Sequence, residues 1–134
     1  MRYIKHARTC VYNVHYHIVW SVKYRRKVLD TEIESFLAKL FQEIAEEKGF
    51  EVVMMGEKDY VHVFASAHPK LAPSYIVKML KGISARKCFI KFPHLKQKLW
   101  GGHLWNSSFY IETIGSISED TIRRYIENQQ KGGD

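Results

Sequence analysis

The sequence predicts an α+β domain of the ferredoxin-like (RRM-like) plan, an antiparallel sheet with helices on one face, extended by a C-terminal helix. Three observations predict it. Apolar side chains alternate over 9–22, the period of a strand with one oily face. Apolar side chains recur in steps of three and four over 33–44, the period of a helix. The remaining patterns complete the order βαββαβ, which suits a sheet with two helices on one side.

In the first strand, TCVYNVHYHIVWSV, one face carries Tyr12, Val14, Tyr16, Ile18, Trp20 and Val22. The other carries Asn13, His15, His17, Val19 and Ser21. A basic exit, KYRRK, follows at 23–27. Thr31 and Glu34 have capping-box spacing at the head of the first helix. Its stripe is Ile33, Phe36, Leu37, Leu40, Phe41 and Ile44, and Gly49 supplies the stop. FEVVMM (50–55), GEKD and YVHVFAS (60–66) read as a hairpin. The second helix is expected over about 74–89, with Ile76, Met79, Leu80 and Ile83 buried and Lys78, Lys81, Arg86 and Lys87 wet. KFPHLKQKLWGGH reads as a basic loop, SSFYIETI (107–114) as the last strand, and 119–130 as a final helix that Ser118 can cap.

A length of 134 residues implies one domain, 1–134, able to bury a core without disulfides. No apolar run reaches membrane-spanning length, and charge near the N-terminus replaces the apolar region of a signal peptide, so a cytoplasmic protein is expected. Cys10 and Cys88 are too few and too far apart for a zinc knuckle and read as reduced thiols. A formal charge of +7 favours a polyanionic partner, most commonly nucleic acid. Two helices cover one face of the sheet, so the other must meet solvent, a ligand or a second chain, and a dimer would also cover the long aromatic first strand.

Several side chains could carry chemistry. Tyr60 and His62 lie two apart, so both point to one face of their strand. His15 and His17 form a His-x-His pair that could chelate a metal, although on the residues alone it reads as structural. Ile122, Tyr125, Ile126 and Gln129 share one face of the final helix, where a buried amide would need a partner. On the residues alone, packing by Tyr125 and end-capping by Gln129 is the simpler account. Tyr24 among Lys23, Arg25, Arg26 and Lys27 suits base stacking and phosphate contact, or an ordinary exposed strand end.

Taken together, YHIVWSVKYRRKVL, EKDYVHVFASAHP, HLKQKLW, LWNSSFYIETIG and RRYIENQQ, in that order, resemble the single-tyrosine HUH transposases of small bacterial and archaeal insertion sequences, the IS-two-hundred type. The resemblance spans nearly the whole chain. It implies that Tyr125 is the nucleophile, and that His62 and Gln129 are metal ligands. Tyr60 stands where the family carries the first histidine of its His-hydrophobic-His motif, and a neutral phenol is a poor ligand for a hard cation. Asp59 is a further candidate oxygen ligand. The resemblance places the family's metal motif at 60–62 and not at His15 and His17.

The activity implied is cleavage and rejoining of single-stranded DNA at insertion-sequence ends through a 5′-phosphotyrosine, with magnesium or manganese. The partners implied are imperfect DNA hairpins and a second copy of the chain, with Gly115 as a candidate hinge before the tyrosine helix. Lys23, Arg25, Arg26, Lys27, Lys78, Lys81, Arg86 and Lys87 are the candidate phosphate contacts. The departure at Tyr60 leaves an alternative, a catalytically impaired relative that binds single-stranded nucleic acid.

Overall fold

The computed structural model describes residues 13–99 and 101–115. The expected final helix, with Tyr125 and Gln129, and residues 9–12 of the first strand lie outside the described residues, as does Cys10. Within them the order is β1 (Val14–Ser21), α1 (Thr31–Lys48), β2 (Glu51–Gly56), β3 (Tyr60–Ala67), α2 (Pro73–Lys91), α3 (Leu95–Lys98) and β4 (Tyr110–Ile114). The four strands form one sheet in the order β2-β3-β1-β4, every neighbouring pair antiparallel. That is the ferredoxin-like arrangement the sequence predicts.

Period two decides the two faces of the sheet. Tyr16, Ile18, Trp20, Val52, Val61, Val63, Ala65 and Ala67 join the main core, together with Leu37, Phe41 and Ile44 of α1 and Ile76, Val77 and Leu80 of α2. Every strand residue of that core lies on the first face. The second face carries His15, His17, Val19 and Ser21 from β1, Tyr60, His62, Phe64 and Ser66 from β3, and Tyr110 and Glu112 from β4. Both helices thus commit to one side, as expected.

Local signals set the helix ends. Asp30, not Thr31, caps α1: its backbone is extended and its Oδ1 accepts from the Ile33 amide at 2.9 Å. Such a cap contributes about 1 kcal/mol. Thr31 is already helical, so the expected Thr31–Glu34 capping box does not form. Gly49 ends α1 at φ 86°, a left-handed turn that a side chain would strain. Helix α2 starts at Pro73, one residue before the expected start, where a missing N–H costs nothing. Its fully buried stripe is Ile76, Val77, Leu80, Ser84 and Cys88. Met79 and Ile83 are only partly buried, so the stripe is rotated from the expected one. The rotation places Cys88 in the core, where burial pushes its thiol pKa up to about 12.

Two expectations for the C-terminal half are corrected. The basic loop contains the short helix α3, whose Leu95 is buried. The last strand begins at Tyr110 rather than Ser107. Residues 106–109 are drawn off the ladder by other partners. The Asn106 amide donates to the Ser21 carbonyl at 2.9 Å, and Lys81 Nζ donates to the carbonyls of Asn106 and Ser108. Trp105 anchors the same stretch, its indole N–H donating to the buried Ser84 hydroxyl at 2.9 Å.

Candidate active site

β3 enters the sheet directly from a tight turn, closed by the Glu57 amide donating to the Tyr60 carbonyl at 2.7 Å. Strand period then aims Tyr60 and His62 at the second face, as the sequence predicts. Their rings meet edge to face with centroids 5.2 Å apart. Burial, Glu57 and Asp59 raise the Tyr60 phenol above its ordinary value near 10. The phenol is therefore neutral at neutral pH and offers a cation only a weak oxygen donor.

His62 is held from the neighbouring strand. His17 Nε2 lies 2.9 Å from His62 Nδ1, and His17 Nδ1 lies 3.0 Å from Glu112 Oε1. Glu112 stands opposite His17 in the β1–β4 register, and its other oxygen accepts from the Tyr110 hydroxyl at 2.9 Å. Burial and the neighbouring His17 lower the His62 pKa, so the ring is neutral near pH 7. The hydrogen bonds from His17 and Tyr110 lower that of Glu112, which is a carboxylate. His17 also lies flat against Phe64, with centroids 4.8 Å apart.

Glu112 and Tyr110, which brace His17 behind His62, are residues that sequence reasoning did not single out. His17 was visible only as the partner of His15 along one strand. The His17–His62 contact depends on the β1–β3 register, in which Val19 faces His62 and His17 faces Phe64. No local pattern encodes that register.

Among the described residues no group of three or more His, Cys, Asp or Glu side chains gathers to hold a metal ion. The described donors fit a divalent cation in part. His62 supplies one imidazole, of the kind such cations take. Its companion position holds a phenol, and Gln129 lies outside the described residues. Asp59 carries a different commitment: its Oδ2 accepts from Arg25 Nε at 2.9 Å and lies 2.8 Å from Arg25 Nη2. A cation could take that oxygen only in competition with the guanidinium, which sits 5.7 Å from the centre of the Tyr60 ring.

The structure spreads the basic candidates over several surfaces. Lys23, Lys81 and Arg86 line one groove of about 610 Å³ with Phe89, His103 and Trp105. Arg26 and Lys27 line a second, of about 570 Å³, with Gln97 and Lys98. Arg25 belongs instead with Tyr60 and Tyr110, while Lys78 and Lys87 are exposed on α2. Lys81 is half-buried, and its ammonium is already engaged by two carbonyls. Tyr24 and Arg25 adopt positive φ, 61° and 53°, at the turn after β1, and Tyr24 is 59 % exposed with Lys23 Nζ 5.3 Å from its ring centre. A flat aromatic beside a cation suits an unstacked base.

Comparison with known proteins places this geometry in a family. The family model described as "Transposase IS200 like" matches residues 10–129. The ISDra2 transposase TnpA of Deinococcus radiodurans is 44 % identical over 127 residues, covering 94 % of this chain and 91 % of that protein. The transposase for insertion sequence element IS200 of Salmonella typhimurium is 26 % identical, covering 90 % of this chain and 82 % of that protein. A crystal structure of a Deinococcus radiodurans protein put forward as a transposase superposes with a TM-score of 0.76 at 43 % identity, covering 93 % of this chain and 97 % of the other. A tyrosine transposase solved on a REP hairpin shares the fold at 15 % identity, with a TM-score of 0.61 over 96 % of this chain and 74 % of the other. An α+β sheet with His62 on its second face, in a chain matched almost end to end by these proteins, belongs to the IS200-like transposase family.

Proposed function

We propose that this transposase cleaves and rejoins single-stranded DNA at insertion-sequence ends through a covalent bond to Tyr125. The observation that carries the reading is the placement of His62, held by a neighbouring strand on the sheet face away from α1 and α2. Tyr125 attacks the scissile phosphorus, a 5′-phosphotyrosine forms, and the 3′-oxygen leaves as a hydroxyl. The phosphodiester energy is kept, so that hydroxyl can reverse the reaction on new DNA without ATP. His62 and Gln129 hold the divalent cation, magnesium or manganese, with Asp59 a further candidate at the hairpin tip. When bound, the cation polarises a phosphate oxygen and neutralises developing charge. Lys23, Arg25, Arg26, Lys27, Lys78, Arg86 and Lys87 contact phosphates, while Lys81, held by the carbonyls of Asn106 and Ser108, shapes the groove that it lines. The ligand is a hairpin end, a reading supported by the REP hairpin on the neighbour of the same fold. The working form is a homodimer, with Gly115 as the hinge to the tyrosine helix.

A second reading has one observation in its favour. Tyr60 fills the place of the motif's first histidine, and its raised pKa makes the phenol a still poorer ligand. On that reading the chain binds single strands and cleaves them slowly or not at all.

One experiment separates the two. The protein is incubated with single-stranded DNA carrying a candidate element end, with and without magnesium or manganese. A covalent protein–DNA adduct that Tyr125→Phe abolishes supports the transposase reading. Binding with no adduct supports the second. If Tyr60→His then raises adduct yield tenfold or more, position 60 limits the reaction.

A further inference from the structure

We propose that Glu112 and His17 are positioning residues: as a hydrogen-bonded chain across three strands, they fix which nitrogen of His62 carries the lone pair. The inference rests on the reading of His62 as a cation ligand. It concerns residues that no part of that reading uses.

The chain of protons follows from the donors and acceptors. Glu112 is a carboxylate and can only accept, so His17 Nδ1, 3.0 Å from Oε1, carries a hydrogen. In a neutral His17 the other nitrogen, Nε2, then has the lone pair. It lies 2.9 Å from His62 Nδ1, which must therefore donate. In a neutral His62 the remaining lone pair falls on Nε2. Two side chains, from β4 and β1, thus select one tautomer of the β3 ring, which lies two strands away from the carboxylate.

The ring geometry agrees. The two imidazole planes are only 8° apart, with centroids separated by 5.2 Å. That separation is one hydrogen bond plus a ring radius at each end. The rings therefore lie edge to edge in a common plane, the alignment an N–H···N bond prefers. They do not stack face to face. The chain is held at its carboxylate end and at its centre: Tyr110 binds the second oxygen of Glu112, and Phe64 lies against the face of His17. A carboxylate behind a histidine is the arrangement that orients metal-binding imidazoles elsewhere. Here one extra histidine lengthens the relay by a strand. The relay holds His62 at the site where Tyr60 cannot help to hold a cation.

The test reads the tautomer directly. Long-range proton–nitrogen NMR spectra of the metal-free full chain at neutral pH report which nitrogen of each histidine is protonated. His62 is expected to be protonated at Nδ1. His17→Phe keeps an aromatic ring against Phe64 but removes the acceptor, and is expected to move the His62 proton to Nε2. His17→Gln restores an acceptor oxygen and is expected to recover the Nδ1 form. Mn2+ affinity, read by electron paramagnetic resonance, is expected to fall about tenfold or more in His17→Phe, as outer-shell losses do. A wild-type His62 protonated at Nε2, or one that ignores His17→Phe, would overturn the proposal. Mn2+ that leaves the His62 signals of the wild type untouched would overturn the cation reading instead, and the tautomer would still decide the role of His17.

Discussion

Arg25 holds one oxygen of the Asp59 carboxylate through two nitrogens, Nε at 2.9 Å and Nη2 at 2.8 Å. The backbone supports the same junction, since the Val22 amide donates to the Asp59 carbonyl at 2.8 Å. The exit of β1 is thereby pinned to the hairpin tip, one residue from Tyr60. The guanidinium is 64 % exposed and the carboxylate 16 %, so solvent screens much of the attraction. A double-mutant cycle with Arg25→Ala and Asp59→Ala is expected to give a coupling of about 0.5–1 kcal/mol in urea unfolding. Additive losses would mean that the pair does not hold the tip.

Ser84 supports a larger prediction. Its hydroxyl is fully buried, accepts from the Trp105 indole at 2.9 Å and donates to the Lys81 carbonyl at 3.2 Å. Ser84→Ala would leave a buried indole N–H without its acceptor, at a cost of about 1–3 kcal/mol. The urea midpoint should fall accordingly, and amide exchange should speed up first in 101–109, the stretch that Trp105 anchors. Wild-type stability in Ser84→Ala would show that water replaces the hydroxyl.

These residues mark how far the sequence could be read. The faces of β1 and β3, the stop at Gly49 and the hairpin at 56–60 follow from local periodicity and turn chemistry, and the structure has them. Alternation also put Tyr60 and His62 on one face without any knowledge of the partner strand. Lys81 was legible only as a candidate phosphate contact and Ser84 only as a polar helix residue, because their partners lie on the incoming segment at 105–108. His17 and Glu112 are 95 residues apart, and only the β1–β4 register sets them opposite each other. Asp30 was missed for a smaller reason. A capping box read from Thr31 and Glu34 looked complete, yet the chain enters the helix one residue earlier.

The buried histidines set the sign of the pH response. Burial lowers the pKa of His15 and of His62 below the ordinary value of 6.5, with His17 adding to the effect at His62. A folded-state pKa below the unfolded one means that the unfolded chain takes up the proton more readily. Their contribution to stability is full above the unfolded value and is lost as pH falls through the folded one. Glu34 runs the other way: burial raises its carboxyl pKa, so its contribution grows as pH falls through that raised value. The urea midpoint should therefore drop between about pH 7.5 and about pH 5.5, and His15→Asn with His62→Gln should remove most of the drop. A midpoint that rises over that interval would reverse the assignment.

Salt dependence tests the basic surface residue by residue. Each phosphate neutralised on a single strand contributes about −0.7 to the slope of log affinity against log salt. Lys23 and Arg86 line the same groove, with an exposed guanidinium at one side and Tyr24 beside Lys23. Lys23→Ala and Arg86→Ala should each flatten the slope by about 0.7 while leaving the thermal midpoint nearly unchanged. Lys81→Ala should behave differently, because its ammonium already holds the carbonyls of Asn106 and Ser108. Its main effect should be a lower thermal midpoint, with the approach to β4 loosened. If Lys81→Ala flattens the slope as much as Lys23→Ala and leaves stability intact, the carbonyl contacts yield to DNA and Lys81 is a phosphate ligand after all. The comparison thus separates a charge that binds the strand from a charge that shapes the groove around it.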